Sequence, residues 1–254
     1  MINLFRRLTR RGATRSTQIP PGLWDDVTAR MPFLRRLSTK DLARLGLLAN
    51  TFLATKEMHG AAGLDLTDEI RVAIAAQACL PILELGLQCY DGWVGVIVYP
   101  GEFRVQREEM DETGVLHEWD EHIAGESMHG GPVVLSWEDA QVDALGYNVV
   151  IHEFAHKLDG LDGDTDGVPP VPPGTTPEAW QTLWLSHFDD FAALVDDDED
   201  AAPFDPYGAQ QPAEFFPVMS EAFFTDPEHL HAIYPDLYAG LAAFYRQDPL
   251  AGNI

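Results

Sequence analysis

Two histidines four residues apart, with a glutamate directly after the first, form the pattern with the clearest chemistry in this sequence. They lie in the pentapeptide His152-Glu153-Phe154-Ala155-His156. On an α-helix, residues i and i+4 share a face, so both imidazoles can bind one metal ion. Glu153 then lies within reach of a water molecule on that ion. Two nitrogen ligands, a polarised water and a carboxylate to accept its proton are typical of a hydrolytic zinc site.

The residues around this pentapeptide favour a metal site over a chance match. The apolar run Val149–Ile151 precedes it, and Phe154, Ala155 and Leu158 interleave with its polar residues. The helix is therefore predicted to be buried nearly all round. A buried imidazole or carboxylate needs a partner, which a metal supplies. The alternative is a pair of hydrogen-bonded core histidines beside a surface glutamate.

A catalytic zinc site needs a third protein ligand and one open position for water. Glu214 is a candidate because it lies in the first turn of a predicted helix among Ala213, Phe215 and Phe216. A carboxylate in apolar surroundings is costly unless a positive charge holds it. On the residues alone, an exposed first-turn glutamate favoured by the helix dipole is an equally good interpretation.

Asp162 is the second candidate for the third ligand. It lies six residues after His156, which is the spacing of the short-spaced zincins. Those enzymes also need a glycine three residues after the second histidine to turn the chain back to the metal. Asp159 occupies that position here, and Asp162 lies in a polar loop where a carboxylate needs no metal.

The acidic composition limits the partners that this chain can bind. Its 254 residues carry 16 Lys and Arg against 41 Asp and Glu, a formal net charge of −25. Such a surface repels nucleic acid and anionic membranes, so neither is an expected partner. No apolar stretch reaches the ~20 residues of a membrane span. The two cysteines, Cys79 and Cys89, are too few for a disulfide framework, which favours reduced thiols in a cytoplasmic protein.

The chain divides into a basic N-terminal segment and a single predicted domain. Five arginines lie within residues 1–17 with no apolar region after them, so residues 1–20 are predicted to be a flexible tail and not a targeting signal. Residues 21–254 are predicted to hold helices over 21–90, a sheet and the active-site helix over 91–160, and C-terminal helices over 177–249. The predicted N-caps are Ser38 or Thr39, Thr67 and Ser136. The predicted strands are Trp93–Tyr99, Phe103–Arg107, Val115–Ile123 and Pro132–Trp137.

Four segments together resemble the Mlc titration factor (MtfA) family of zinc peptidases: Asn148–Asp159, Tyr207–Glu214, Phe215–Phe224 and Tyr234–Pro249. The resemblance extends from about Trp24 to Pro249. It implies an α+β, zincin-like fold of the glutamate type, related to the catalytic domain of anthrax lethal factor. It also implies peptidase activity of the aminopeptidase kind. In enteric bacteria, members of the family also bind a glucose-responsive repressor.

Carried over by motif, the resemblance assigns roles to five residues of this sequence. His152 and His156 match the zinc histidines, Glu153 the catalytic base and Glu214 the third ligand. Tyr207, seven residues before Glu214, matches a tyrosine that stabilises the transition state. We therefore expect Glu214 and not Asp162 to bind Zn²⁺.

The sequence departs from the family pattern after the third ligand. Pro217-Val218 stands where the family has an Ala-Val pair. A proline inside a helix removes one backbone donor and clashes with the preceding turn. We therefore expect α-helical geometry to kink just after Glu214.

These observations together predict a zinc-dependent peptidase that acts on peptides or proteins. Glu153 argues against a purely structural site, because such sites are closed by four ligands and need no base. The segment Gly130–Trp137 is expected to be the edge strand along which an extended peptide lies. The alternatives are an interaction module that sequesters a transcriptional regulator and a non-peptidase hydrolase on the same scaffold.

Overall fold

The structure of the chain is a computed structural model that describes residues 18–110, 116–127, 130–141 and 144–251. The predicted flexible tail, residues 1–20, lies outside this description except for its last three residues. Of these, Ile19 packs against the core and its backbone N–H donates to Asn50 Oδ1 at 2.6 Å. The domain is thus anchored from Ile19 onwards.

Helices form most of the N- and C-terminal parts, as the hydrophobic periodicity predicts. The predicted caps are confirmed: Ser38, Thr67 and Ser136 each accept a hydrogen bond from a backbone N–H in the first turn of their helices. No helix in the described part of the chain is long and apolar enough to cross a membrane. The helices are α1 (Pro21–Thr28), α2 (Thr39–Thr55), α3 (Asp68–Cys79), α4 (Trp137–Ala140), α5 (Val149–Asp159), α6 (Pro177–Asp197), α7 (Pro212–Thr225), α8 (Pro227–Ile233) and α9 (Pro235–Tyr245).

A small mixed sheet lies between the two helical parts and confirms the α+β class. Its strand order is β1-β2-β6-β5, with β1, β2 and β6 parallel and β5 antiparallel to β6. Two further strands, β3 and β4, form a separate antiparallel ribbon. The strands are β1 (Glu57–Gly60), β2 (Gly95–Tyr99), β3 (Phe103–Met110), β4 (Leu116–Ile123), β5 (Gly125–Ser127) and β6 (Val133–Ser136).

The expectation that Gly130–Trp137 supplies the edge strand is wrong. Its strand, β6, pairs with β2 on one side and β5 on the other, so it is an interior strand. All four of its residues are buried, as a strand covered on both faces requires. The edge is β5, a three-residue strand that carries Glu126 and Ser127. β1 and β5 are short and polar, so the sequence pattern does not predict them as strands. They form because each pairs with a neighbouring strand of the sheet.

Helix α5 lies in the core, as its apolar surroundings predict. All of its residues are buried except His156, which is half-buried. Phe154 packs against the rings of Phe52, Tyr90 and Trp93, with centroid distances of 5.1 to 5.7 Å. Full burial of a phenylalanine contributes roughly 1.5–3 kcal/mol. This aromatic cluster holds the helix in one position under the sheet.

Helix α7 contains Pro217 in its interior but runs without a break from Pro212 to Thr225. Pro217 has no N–H to donate to the carbonyl of Ala213, so one backbone hydrogen bond is missing. Glu214 precedes this point and lies in the first turn, where backbone N–H groups have no partner within the helix in any case. The packing of Phe216 between Trp184 and Phe244, at 5.3 and 5.7 Å, holds the helix across the proline.

Candidate metal centre

Helix α5 presents both histidines of the H-E-x-x-H pentapeptide on one side. Asn148 begins the helix, because its Oδ1 accepts a hydrogen bond from the backbone N–H of Ile151 at 2.9 Å. The rings of His152 and His156 lie with their centroids 5.1 Å apart. The i, i+4 spacing therefore gives the convergence that a shared ion needs.

Glu214, in the first turn of α7, faces the two histidines. Its Oε2 lies 3.1 Å from Nε2 of His152 and 3.2 Å from Nε2 of His156. These three residues offer one ligand atom each within 4.8 Å of one another. The other oxygen, Oε1, accepts a hydrogen bond from Nε2 of Gln211 at 3.1 Å. Gln211 was not predicted from the sequence, although its place three residues before Glu214 suits a contact across one helical turn.

Glu221 is a second carboxylate of α7 that the sequence reasoning missed. It is almost fully buried, and its Oε1 lies 2.7 Å from Nδ1 of His152. A carboxylate can only accept, so Nδ1–H of His152 donates to Glu221 and Nε2 is left with a lone pair for a metal. Glu221 follows Glu214 by seven residues, which places both on one face of the helix after two turns. That spacing was the signal available in the sequence.

Asn148 extends this contact into the core. Its backbone N–H donates to Oε2 of Glu221, and its Nδ2 donates to Oε1 of Gln77 at 2.7 Å. Nε2 of Gln77 in turn donates to the carbonyls of Ala73 and Ala140. A chain of hydrogen bonds thus runs from α3 through the start of α5 and Glu221 to the His152 imidazole. It fixes both the tautomer and the orientation of that ring.

The protonation behaviour of these groups reflects their burial and their contacts. Burial alone would raise the pKa of Glu214, but hydrogen bonds from His152 and His156 hold it well below its usual value. Burial opposes a charge on His152, yet its contacts with Glu214 and Glu221 raise its pKa well above normal. For His156, burial dominates and lowers the pKa. A proton on His152 therefore balances the carboxylates when no cation does.

The donor set fits a divalent metal of the zinc type. Two imidazole Nε2 atoms and one carboxylate oxygen are the ligands of many catalytic zinc sites, and an outer carboxylate on one histidine is their usual support. The three residues come from two helices that pack directly on each other. His152, His156 and Glu214 are thus the residues that could hold the ion.

Glu153 lies next to His152 in the chain, but its side chain packs against β5 at the edge of the sheet. It is buried, and its Oε2 has no hydrogen-bond partner among the described residues. Burial is the main cause that raises the pKa of Glu153 to about 8. The charge on His152 lowers this pKa, whereas the carboxylates of Glu214 and Glu221 raise it further. A side chain at Gly125 of β5 would lie 2.6 Å from Cγ of Glu153. The glycine therefore allows the edge strand to pass directly over this carboxylate.

Tyr207 lies at the surface beside the His152 imidazole. It belongs to the short 3₁₀-helix Pro206–Ala209, and its ring centroid lies 5.7 Å from that of His152. Oδ1 of Asp205 accepts a hydrogen bond from the Tyr207 backbone N–H at 2.9 Å. The residue is about one-third exposed, at 36%. Its ring thus lies next to one of the two imidazoles that could hold a metal ion.

Asp162 lies exposed in the 3₁₀-helix Gly160–Asp162 that follows α5, and it does not belong to the three-residue ligand group. Its loop has a different role, which depends on Asp159. The buried Asp159 carboxylate accepts the backbone N–H of Gly167 at 2.9 Å. At Gly167, with φ of +84°, a side chain would lie 2.9 Å from the backbone nitrogen of Ala213. The loop thus packs against the first turn of α7 and supports Glu214.

A His-His-Glu group that could hold a metal ion, on an H-E-x-x-H helix beside the edge of a small mixed sheet, is consistent with a zincin-like peptidase. The chain belongs to the glucose-regulated metallo-peptidase M90 family, whose model matches residues 5–246. This confirms the resemblance stated from the residues.

Three relatives are similar to this chain over most of its length. Each is a protein named Mlc titration factor A. The protein from Pectobacterium atrosepticum is 41% identical over 225 residues, covering 87% of this chain and 84% of the relative. That from Salmonella arizonae is 40% identical over 239 residues, covering 92% and 94%. That from Serratia proteamaculans is 38% identical over 232 residues, covering 90% and 88%.

The geometry predicts different effects of removing the two candidate third ligands. Glu214→Ala should lower zinc affinity by at least about 100-fold, more than loss of an outer partner does, because it removes a ligand atom. Asp162→Ala, in the exposed loop, serves as the matched control and should leave the affinity unchanged. Competition with a chromophoric chelator at fixed pH measures both. A larger loss for Asp162→Ala would contradict the assignment of Glu214.

Replacing Glu221 by glutamine should weaken metal binding although no ligand is lost. If the amide nitrogen faces His152, Nδ1 must accept and Nε2 carries the proton, which prevents metal binding. If the amide oxygen faces His152, the amide nitrogen meets the backbone N–H of Asn148. Either orientation is unfavourable, and we expect zinc affinity to fall about 10–100-fold. Glu228→Gln, at an exposed carboxylate, is the control; equal affinities of the two variants would show that Glu221 has no such role.

Proposed function

We propose that the chain is a zinc-dependent peptidase in which Glu153 is the general base. The observation that supports this most directly is the position of Glu153. Its carboxylate is buried beside three metal-binding atoms, yet other residues supply all three. A carboxylate that is not one of the three ligands has no structural use beside them, whereas a hydrolytic site requires a base there.

The residues divide the chemistry between them. His152, His156 and Glu214 would hold Zn²⁺, which lowers the pKa of a bound water towards ~7 and polarises a carbonyl group. Glu153 accepts the proton of the attacking water and passes it to the leaving amine as the peptide bond breaks. The Tyr207 hydroxyl donates a hydrogen bond to the carbonyl oxygen as negative charge develops there.

The substrate strand is best placed on β5. As the terminal strand of the sheet, β5 has one edge whose N–H and C=O groups β6 does not use. An extended peptide can pair with that edge, as peptides do with exposed strands in other proteins. Because Gly125 lies directly over Glu153, the paired peptide would pass over the base. This assigns to β5 the role that the sequence reasoning gave to the neighbouring segment.

The charge around the site favours an aminopeptidase-like preference. Glu126 of β5 is among the charges that act on Glu153, together with Glu214 and Glu221. A substrate that presents a free terminal ammonium is attracted to such a site, and an acidic peptide is repelled. The net charge of −25 extends the same preference over the surface. We also infer a cytoplasmic location, because both Cys79 and Cys89 are free thiols.

A second candidate function is the binding of a transcriptional repressor. It is favoured by the relatives, whose name, Mlc titration factor, refers to a partner, and by the family description as glucose-regulated. The partner would be bound as a folded protein and not through its DNA, because the acidic surface repels nucleic acid. Such binding is compatible with peptidase activity if it uses a surface outside the metal centre.

Glu153→Gln tests the proposed mechanism. The variant should keep its zinc content, because Glu153 is not a ligand, and lose hydrolysis of peptides with a free N-terminus. We expect kcat to fall at least 10²-fold, the lower range for a general base. Zinc analysis and a peptide-cleavage assay, with N-acetylated peptides in parallel, measure both properties. Activity equal to that of the unchanged protein would exclude Glu153 as the base.

Gly125→Ala should slow catalysis without loss of metal. The added methyl group needs the space that Glu153 occupies, so the base must move. A displacement of about 1 Å can cost about 10²-fold in rate, and we expect kcat to fall by about that factor. Ser127→Ala, which adds no atoms to the same strand, is the control. If the alanine at 125 leaves kcat unchanged, the strand does not position the base.

The repressor-binding function predicts that Glu153→Gln still captures its partner. The inactive variant, immobilised and exposed to lysate of the source cells, should retain an intact DNA-binding protein that is then identified by mass spectrometry. Capture of peptide fragments alone would favour a substrate relationship and contradict the second function.

A further inference from the structure

A cleft of about 260 Å³ lies at the far end of α7 from the metal centre. Phe224, which lines it, is ten residues after Glu214, about 15 Å along the helix axis. The cleft is formed by the segment before α2, the end of α3 and the chain after α9. Its apolar lining consists of Phe33, Leu37, Leu80, Leu83, Phe224 and Pro249. None of these residues has a role in the proposed peptidase mechanism.

Arg246 forms one wall of this cleft and adopts an unusual backbone conformation. It ends α9 with φ of +55° and ψ of +32°, the left-handed region. Glycine is the usual residue at such a helix end, because a side chain is less favourable there. The chain nevertheless carries an exposed arginine at this position. Its guanidinium makes no hydrogen bond or ion pair with any residue that the structure describes.

The carboxylates around the cleft have donors of their own. Asp41 and Glu84 both bind the guanidinium of Arg44. Asp248 accepts the Tyr238 hydroxyl at 2.6 Å and two backbone N–H groups that follow it. The other arginine of the lining, Arg36, forms a two-point contact with Glu228 at 2.7 and 2.8 Å. The chain has 41 acidic and 16 basic residues, so an arginine whose guanidinium has no carboxylate partner stands out.

We propose that this cleft binds a small carboxylate with an apolar body, about the size of an apolar amino acid. The apolar body would contact the aromatic and aliphatic floor, and the carboxylate would accept two hydrogen bonds from Arg246. A guanidinium matches a carboxylate in this two-point manner. Among the charged side chains that line the cleft, Arg246 is the one without a hydrogen bond or ion pair to a described residue. The volume limits the ligand to about one aromatic or aliphatic side chain with its carboxylate.

Isothermal titration of the full-length protein with N-acetyl-L-phenylalanine tests the proposal. The neutral N-acetyl-L-phenylalaninamide is the matched ligand, since it differs only in the charge that Arg246 would recognise. We expect the acid to bind at least about 10-fold more tightly than the amide. Arg246→Gly should remove this difference while melting at no lower temperature, because glycine suits the left-handed backbone. Arg246→Gln should give the same loss of affinity.

Three results would overturn the proposal. They are equal affinities for the acid and the amide, undiminished acid binding by both Arg246 variants, and no binding of the acid at millimolar concentration. His156→Ala supplies a further control, because a carboxylate could instead bind at the metal centre. The proposed cleft predicts unchanged affinity in this variant. Loss of binding in His156→Ala would place the ligand at the metal and contradict the cleft, whatever the outcome for peptidase activity.

Discussion

The main physical constraint on this structure is electrostatic, because three carboxylates are buried next to two imidazoles. Glu153, Glu214 and Glu221 are each at most 8% exposed, and they surround His152. Each buried charge costs several kcal/mol unless a partner compensates it. A protonated His152 ring reduces this cost, because its Nδ1–H donates to Glu221 and its Nε2–H donates to Glu214. A divalent cation at the three ligand atoms would balance the same charges better, and it would have to displace that proton. The charges of the cluster therefore suit a divalent metal ion, and the hydrogen bonds around it offset the cost of burying them.

Asn148 connects this cluster to the rest of the fold. Its side-chain oxygen begins α5, its amide nitrogen reaches Gln77 of α3, and its backbone N–H donates to Glu221 of α7. One residue thus holds three helices in a fixed relation around His152. Buried polar groups that are fully satisfied in this way specify a single arrangement, because any shift leaves a donor or acceptor without a partner. The apolar packing of Phe154 then provides the stability that the polar network does not.

The sequence predicts the parts of this site that depend on local spacing. The histidine pair, the helix that carries it and the three predicted N-caps follow from helical periodicity and short-range hydrogen bonding. Glu221 is separated from His152 by 69 residues, so no local pattern links the two, and only its spacing from Glu214 hints at a shared face. The short strands β1 and β5 are polar, and they form because β1 pairs with β2 and β5 pairs with β6. β2 lies far from β1 in the chain, and β6 follows β5. The prediction of the edge strand is wrong for the same reason, because strand order is a long-range property. The continuous apolar run of β6, in contrast, is typical of an interior strand.

The residues of the site fall into two units that pack directly on each other. The first unit is α5 with β5, which together carry the histidine pair, Glu153 and the edge of the sheet. The second is α7 with the preceding 3₁₀-helix, which supplies Glu214, Glu221 and Tyr207. Tyr207 belongs to the second unit because the neighbouring Gly208 packs on Val218 of α7, where an added Cβ would lie 3.1 Å away. Contacts of Glu221 with His152 and Asn148 join the units, and Gly167 supports the first turn of α7 from the loop after α5. The positions of Glu214 and Tyr207 therefore depend together on α7, whereas Glu153 packs against Gly125 of β5. The distance from Glu214 to the histidines is thus set by how α7 packs on α5, and the surroundings of Glu153 by how closely the sheet edge approaches α5.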